Sequence, residues 1–491
     1  MVRSRRTEEP VGQGATSELG FSRGKRRVSE GLRDEYRDAL RAAFRDVLLR
    51  DPEPAALTDL RRHRVEPARV RELCEASAEY RETVAPLRAV IDEHVRLWLR
   101  RVPEPEELRN HVVRVRNKFG DEAVLQRAIE DGSVLTHLDI RPLVLELDVT
   151  NQCNLRCAMC LFSAPEVYLQ ERNHMTVERF DRIADEVFSV CHRVSLSFGA
   201  EPLLNKDIPH FLATLQRYRV PHGYMNTNGL LLSEHLVQQM IEHNFGGLLV
   251  SVDAATKKTY ESIRVGGSFD KLVRNLTTLR AAKERHGSFR PSLALGFVMM
   301  RHNLHELPAF VDLAADLGAA AVNVMHMMAW VVVGNADFSV VNDKPQCNEM
   351  LRAARARAEE RGLAFTAPEL FRLDGDAVVS APSCEANPAG DTGERFALAK
   401  TRADVACPMP WTFVSIDMHG YVAPCGWWHG VEQLGRLVGD GSFRDIWEGE
   451  AYERLRTSLA TGRRVLPVCQ RCPAAGMGSV DNEAAFAERP A

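Results

Sequence analysis

Residues 147–162 read LDVTNQCNLRCAMCLF and set Cys153, Cys157 and Cys160 at C-x3-C-x2-C spacing. The segment before them, 142–149 (PLVLELDV), is apolar enough for a buried strand, so the three thiols fall on a short loop at a strand's carboxyl end. Clustered thiolates suit an iron–sulfur cluster, in which cysteine is the usual ligand of each iron. A four-iron cube held by three cysteines keeps one iron free of protein. That position is open to a small chelating molecule with an amine and a carboxylate. Zinc is the competing occupant, although structural zinc sites take four ligands.

The chain has 491 residues, 45% hydrophobic and 26% charged, which suits a globular protein of two or three domains. A formal net charge of -4 gives no reason to expect nucleic acid or an anionic membrane as partner. The most apolar run, 317–334, is interrupted by Asn323 and His326 and reads as a buried strand with its flank. Eleven cysteines, with no apolar export segment following the N-terminus, point to metal binding or catalysis in a reducing cytoplasm.

Residues 1–28 are rich in Arg, Gly, Ser and Glu and read as a disordered basic arm; Glu8 and Glu9 weigh against a transit peptide. From Gly31 a helical pattern begins, with Leu32, Tyr36, Leu40, Phe44 and Leu48 at fourfold spacing. Prolines at 52, 67, 103 and 105 break the chain beyond it into further helices, so 30–138 reads as a helical domain. After Asp139 strands alternate with helices. Strands are expected at 142–149, 194–198, 222–226, 247–252, 292–300 and 320–326. Helices are expected at 177–190, 233–243, 269–286 and 305–317. Six strands each followed by a helix predict a parallel sheet. Six are too few for a closed eight-stranded barrel. The fold class is therefore α/β, a partial (β/α)6 three-quarter barrel over 140–342, with its site at the strands' carboxyl ends.

Polar turns collect at those ends: Gly199-Ala200-Glu201-Pro202 after the second strand, Asn226-Thr227-Asn228-Gly229 after the third, and Ser251-Val252-Asp253 on the fourth. Each alone could be an ordinary turn. Together, the cysteine loop, the GAEP and TNG turns and VSVDAATKKTYESIR (250–264) resemble the radical S-adenosylmethionine superfamily over about residues 140–330. The resemblance implies a [4Fe-4S] cluster on Cys153, Cys157 and Cys160, with S-adenosylmethionine on the fourth iron. Glu201 would accept from its ammonium, Gly199 would allow close backbone approach, and Asn228 would face the same cofactor. Ser251 and Asp253 would lie near the ribose and Met159 near the adenine. Apart from the resemblance, Arg264 and Arg301 are candidate ligands of a carboxylate or hydroxyl. Ala200 departs from the usual glycine.

Residues 343–406 read as a connecting helix and loop that contain Cys347 and Cys384. The last part, 407–491, opens with Cys407, continues through a hairpin signal (FVSIDMHGYVAPC, 413–425) and ends in Cys469-Gln470-Arg471-Cys472. A zinc site is an equal reading of these cysteines alone. The spacing around Gly420 and Cys425, with LGRL, FRDIW and the terminal CxxC, resembles the auxiliary-cluster domains called SPASM and its shorter form, twitch. No cysteine follows Cys472, so a small C-terminal domain of the twitch kind is implied, with one auxiliary [4Fe-4S] cluster on Cys407, Cys425, Cys469 and Cys472.

The resemblance implies a 5′-deoxyadenosyl radical that takes hydrogen from an unactivated C–H, with electrons from a flavodoxin- or ferredoxin-type donor. The twitch form is similar to that of aminocyclitol dehydrogenases and epimerases. The expected substrate is thus a sugar or aminocyclitol unit in antibiotic or other secondary-metabolite biosynthesis. His326 is the candidate base and Cys384 the candidate hydrogen donor, with Cys347 also able to reach the site. Cys74 and Cys191 read as buried apolar residues. The rival readings are a maturase of a ribosomally made peptide and a non-enzymatic metal-binding scaffold.

Overall fold

Helical periodicity before residue 140 and strand–helix alternation after it divide the chain into two units, residues 1–140 and 141–491. The computed structural model describes residues 30–99, 101–119, 121–130, 133–138, 141–197, 199–327, 333–373, 407, 409–426, 434–437, 441–461 and 469. The basic arm, Cys384 and Cys472 lie outside them. No helix among the described residues is long and apolar enough to cross a membrane.

The first unit is helical: Glu30–Leu48, Pro54–Arg62, Pro67–Glu75, Ala85–Leu99, Pro105–Phe119 and Glu122–Glu130. Pro54, Pro67 and Pro105 open their helices, where a missing N–H costs nothing. Leu40, Val47, Leu87, Ile91, Val95, Val112 and Val115 meet in its core, with Cys74 among them. Glu79 clamps the bundle by accepting from Arg50 at 2.7 Å and from Arg116 at 2.9 Å.

The second unit is built on one sheet. Its strands are β1 (Leu143–Leu147), β2 (Cys191–Ser195), β3 (His222–Thr227), β4 (Gly247–Ser251), β5 (Ser292–Met299), β6 (Ala321–His326), β7 (Ala364–Thr366), β8 (Phe413–Ile416), β9 (Tyr421–Ala423) and β10 (Gly435–Arg436). The order is β10-β9-β8-β1-β2-β3-β4-β5-β6-β7, parallel from β8 through β1 to β7. Because β1 to β7 follow one another in space and parallel crossovers are right-handed, all their helices fall on one face. Leu145, Val194, Met225, Leu248, Val250, Leu295, Phe297 and Val324 point to that face and are buried. The other face is concave, and the alternate residues line it.

Two features differ from the sequence reading. The helix Lys344–Arg361 and β7 extend the barrel sheet past β6, so part of the expected connection belongs to the core. The expected hairpin forms, with Gly420 at φ +84° in its turn, but its first strand β8 pairs in parallel with β1. The C-terminal segment thus continues the barrel's sheet. Apolar alternation could not reveal this, because it shows which face a strand buries and not which strand it joins.

Candidate active site

The cysteine loop leaves β1 and is held by backbone bonds from a distant segment. Arg156 N donates to Val265 O and Ala158 N to Ile263 O, each at 2.9 Å, and Glu201 N donates to Gln152 O at 2.9 Å. Asn335 Nδ2 reaches the carbonyl of Met159 at 3.0 Å. Asn205, fully enclosed, donates to Val149 O and Met175 O and so fixes the end of β1.

All three thiols are free of disulfides, and each lies within the electrostatic reach of the others. Burial pushes the Cys153 thiol up to about 12, against a bond from Leu155 N to its Sγ. Arg264 Nη1 donates to Cys157 Sγ at 3.5 Å, and the same guanidinium pairs with Asp253. Burial opposes the guanidinium's charge, but Asp253 and Cys157 outweigh it and its pKa is raised. Asp253 is fully buried at φ +66°, takes Val298 N on Oδ1 at 2.8 Å, and has its carbonyl bonded by Asn303.

Glu201 lies under the loop. Its carboxylate accepts from Leu203 N at 3.1 Å, Thr227 Oγ1 at 2.7 Å and Asn228 N at 2.8 Å. Burial still raises its pKa. Asn228 Nδ2 donates to Asn154 Oδ1 at 2.8 Å, which ties the TNG turn to the cysteine loop. Gly229 must be glycine: its φ is +75°, and a Cβ would stand 2.8 Å from Leu272. Gly199 differs, since a Cβ there would make only an ordinary 3.5 Å contact with Phe162. Packing does not demand it. Met159 is buried, and Ser251 ends β4 on the concave side.

The expected site residues therefore separate. Cys153, Cys157, Cys160, Met159, Glu201, Asn228 and Arg264 come together around the loop. Asp253 comes too, but as partner of Arg264 and Val298, fully buried instead of open toward a ribose. His326 falls in the row of Val322 and Val324, facing the helices, with its ring centroid 5.0 Å from that of Phe371. Burial lowers its pKa to about 4. Alternation along β6 thus takes it off the concave face, where a base was expected. Cys347 is buried behind β5, 3.8 Å from Met299 Sδ, and does not reach the site. Cys191 donates to Val187 O within the core.

Sequence reasoning missed Asn154, Thr227, Asn335 and Glu306. Asn154 and Thr227 sit inside the cysteine-loop and TNG motifs. Glu306 accepts from Ala255 N and Thr256 N and shapes the turn after β4, and neither it nor Asn335 has a local signature.

In the C-terminal part, Cys407, Cys425 and Cys469 pack against one small core of Trp411, Ala423, Leu455 and Leu459. Among the described residues no group of three His, Cys, Asp or Glu side chains is placed to hold a single metal ion. The buried Nε of Arg264, without a hydrogen-bond partner among the described residues, fits a group placed at this loop.

Residues 147–314 match the radical SAM superfamily, and 407–473 match SPASM, an iron–sulfur cluster-binding domain. The chain carries a radical SAM domain followed by a SPASM domain. This radical SAM chain is 24% identical over 327 residues to the AdoMet-dependent heme synthase of Methanosarcina barkeri, covering 64% of itself and 85% of that protein. It is 26% identical over 324 residues to the PqqA peptide cyclase of Granulibacter bethesdensis, covering 64% and 76%. Its fold resembles the crystal structure of Streptococcus suis SuiB with a TM-score of 0.50 at 14% identity, over 85% and 83% of the two chains. The two matched domains imply [4Fe-4S] clusters and S-adenosylmethionine as cofactors.

Proposed function

We propose that this enzyme takes a hydrogen atom from an unactivated C–H of a small polar molecule, a sugar or aminocyclitol unit of secondary metabolism, and completes a dehydrogenation or epimerisation. The observation that supports it is the concave face, where Glu146, Arg193, Tyr224, Asn226, Ser251 and Asn323 share the strand rows. A face so rich in hydrogen-bonding groups suits a hydroxylated ligand better than an apolar one.

In this reading Cys153, Cys157 and Cys160 hold the first cluster, framed by Met159, Gly199, Glu201, Asn228 and Ser251. Cys407, Cys425, Cys469 and Cys472 hold one auxiliary cluster of the twitch kind. When bound, the first cluster and S-adenosylmethionine supply a 5′-deoxyadenosyl radical. The chain does the rest. Glu201 keeps a lone pair of Oε2 for an ammonium, the Asp253–Arg264 pair positions Cys157, and the strand rows orient the substrate and exclude water. A flavodoxin- or ferredoxin-type protein is the expected electron donor.

A peptide substrate is the second reading, favoured by the PqqA peptide cyclases among the relatives. Anaerobic assay of the reconstituted protein with aminosugars, aminocyclitols and candidate peptides separates the two, with deoxyadenosine and substrate mass followed together. A loss of two mass units from an aminosugar is expected for dehydrogenation. One deuterium taken up from D2O, and blocked in Cys384→Ser, is expected for epimerisation. Turnover of peptides alone overturns the sugar reading, and no cleavage of S-adenosylmethionine at all leaves only a metal-binding scaffold.

A further inference from the structure

The concave face carries charged groups that neither the cysteine loop nor the helix layer uses. Register places Ser415, Glu146, Ser195 and Tyr224 side by side across β8, β1, β2 and β3. Strands lie about 4.8 Å apart, so this row runs across the floor beneath the carboxyl end of β1. Arg193, one step lower, sets its guanidinium carbon over the Tyr224 ring, 4.1 Å from the centroid. Glu146 is half-buried, and among the described residues nothing donates a hydrogen bond to its carboxyl group. Its flanking neighbours, Ser415 and Ser195, are small and leave room around it. One step above Tyr224, the Oδ1 of Asn226 is buried and has no hydrogen-bond partner among the described residues. Arg193 favours the charged form of Glu146 and Asp148 opposes it. A carboxyl group and an amide oxygen that no donor of the described residues meets are complemented by a ligand that brings donors, best a charged one.

We propose that Glu146 and Asn226 form a subsite for a primary ammonium group on the substrate, with Arg193 parked on Tyr224 to keep the carboxylate open. This rests on the small-molecule reading above and narrows it to amine-bearing substrates.

The test is calorimetric titration of the reconstituted full-length protein, with S-adenosylmethionine bound, using D-glucosamine and D-glucose at pH 7. Wild type is expected to favour the amine by about tenfold, the worth of one charged hydrogen bond. Glu146→Gln, which keeps shape and removes charge, should erase that preference. Glu146→Asp, which keeps charge, should restore part of it. Equal binding of the two sugars by wild type, or a preference that survives Glu146→Gln, overturns the proposal. Deoxyadenosine formation by wild type is read separately. Its absence removes the radical reading, while the amine preference stands or falls by itself.

Discussion

The cysteine loop and the concave face beneath it are built on opposite terms. Around the loop, charges and amides mostly find partners within the chain: Asp253 with Arg264 and Val298, Glu201 with three donors, Asn228 with Asn154, and Met159 O with Asn335. On the concave face, among the described residues, Glu146 lacks a donor and the Oδ1 of Asn226 lacks a partner. A region that satisfies itself holds a shape without help. A region that leaves acceptors open is finished by what binds there, because an unmet buried polar group costs more than a met one returns. The first is a holder and the second a receiver.

The largest expected effect separates the cysteines by duty. Cys157→Ala should abolish 5′-deoxyadenosine formation, since a thiolate of the loop cannot be replaced by its neighbours. Cys425→Ala, in the C-terminal set, should still yield deoxyadenosine but lose product. Equal loss in both, measured by chromatography of the anaerobic reaction, would break the distinction between the two cysteine sets.

Next come two substitutions with opposite signs. Asp253→Asn strands the Arg264 guanidinium in the protein, and removal of one member of a buried pair costs about 3–5 kcal/mol. Chemical denaturation should show that loss. Glu146→Gln should do the reverse. Burial lifts the Glu146 carboxyl from its ordinary 4.5 to about 7, Arg193 pulling against and Asp148 adding to the rise. Between those values the folded chain holds a proton that the unfolded chain has released, so stability falls as pH rises through that window. The neutral glutamine escapes this. The variant should match wild type below about pH 4.5 and exceed it at pH 8 by up to about 3 kcal/mol. A variant no more stable at pH 8 would show that Glu146 has a partner after all.

How much of this was legible in the sequence depends on range. The strands, their helices and the cysteine loop are patterns within a few residues, and helix Phe269–His286 forms over the span its periodicity predicts. The turns that gather Glu201 and Asn228 were readable because each is a short run at a strand end. The union of β8 with β1 joins residues far apart in the chain, and no local pattern encodes it. His326 was misjudged through parity: counting along β6 from Val322 puts it on the helix-facing side, yet nothing in the sequence alone says which parity is concave. Glu146 is hidden for the same reason, a charged residue in an apolar run whose meaning depends on the opposite face.

The smallest expected effect tests whether the loop's holding is shared or concentrated. Asn335 donates one hydrogen bond to Met159 O, and both residues are buried. Asn335→Ala removes the donor and strands a carbonyl, a loss of about 1–2 kcal/mol in global stability. If the loop's many bonds share its placement, affinity for S-adenosylmethionine should weaken only a few fold, since Arg156 and Ala158 keep their backbone partners on 263–265. Binding measured by equilibrium dialysis on the reconstituted variant decides it. A loss of affinity far larger than the loss of stability would mean that Asn335 alone sets the loop's position. The holder would then depend on one contact instead of a mesh, and its contrast with the open face below would narrow.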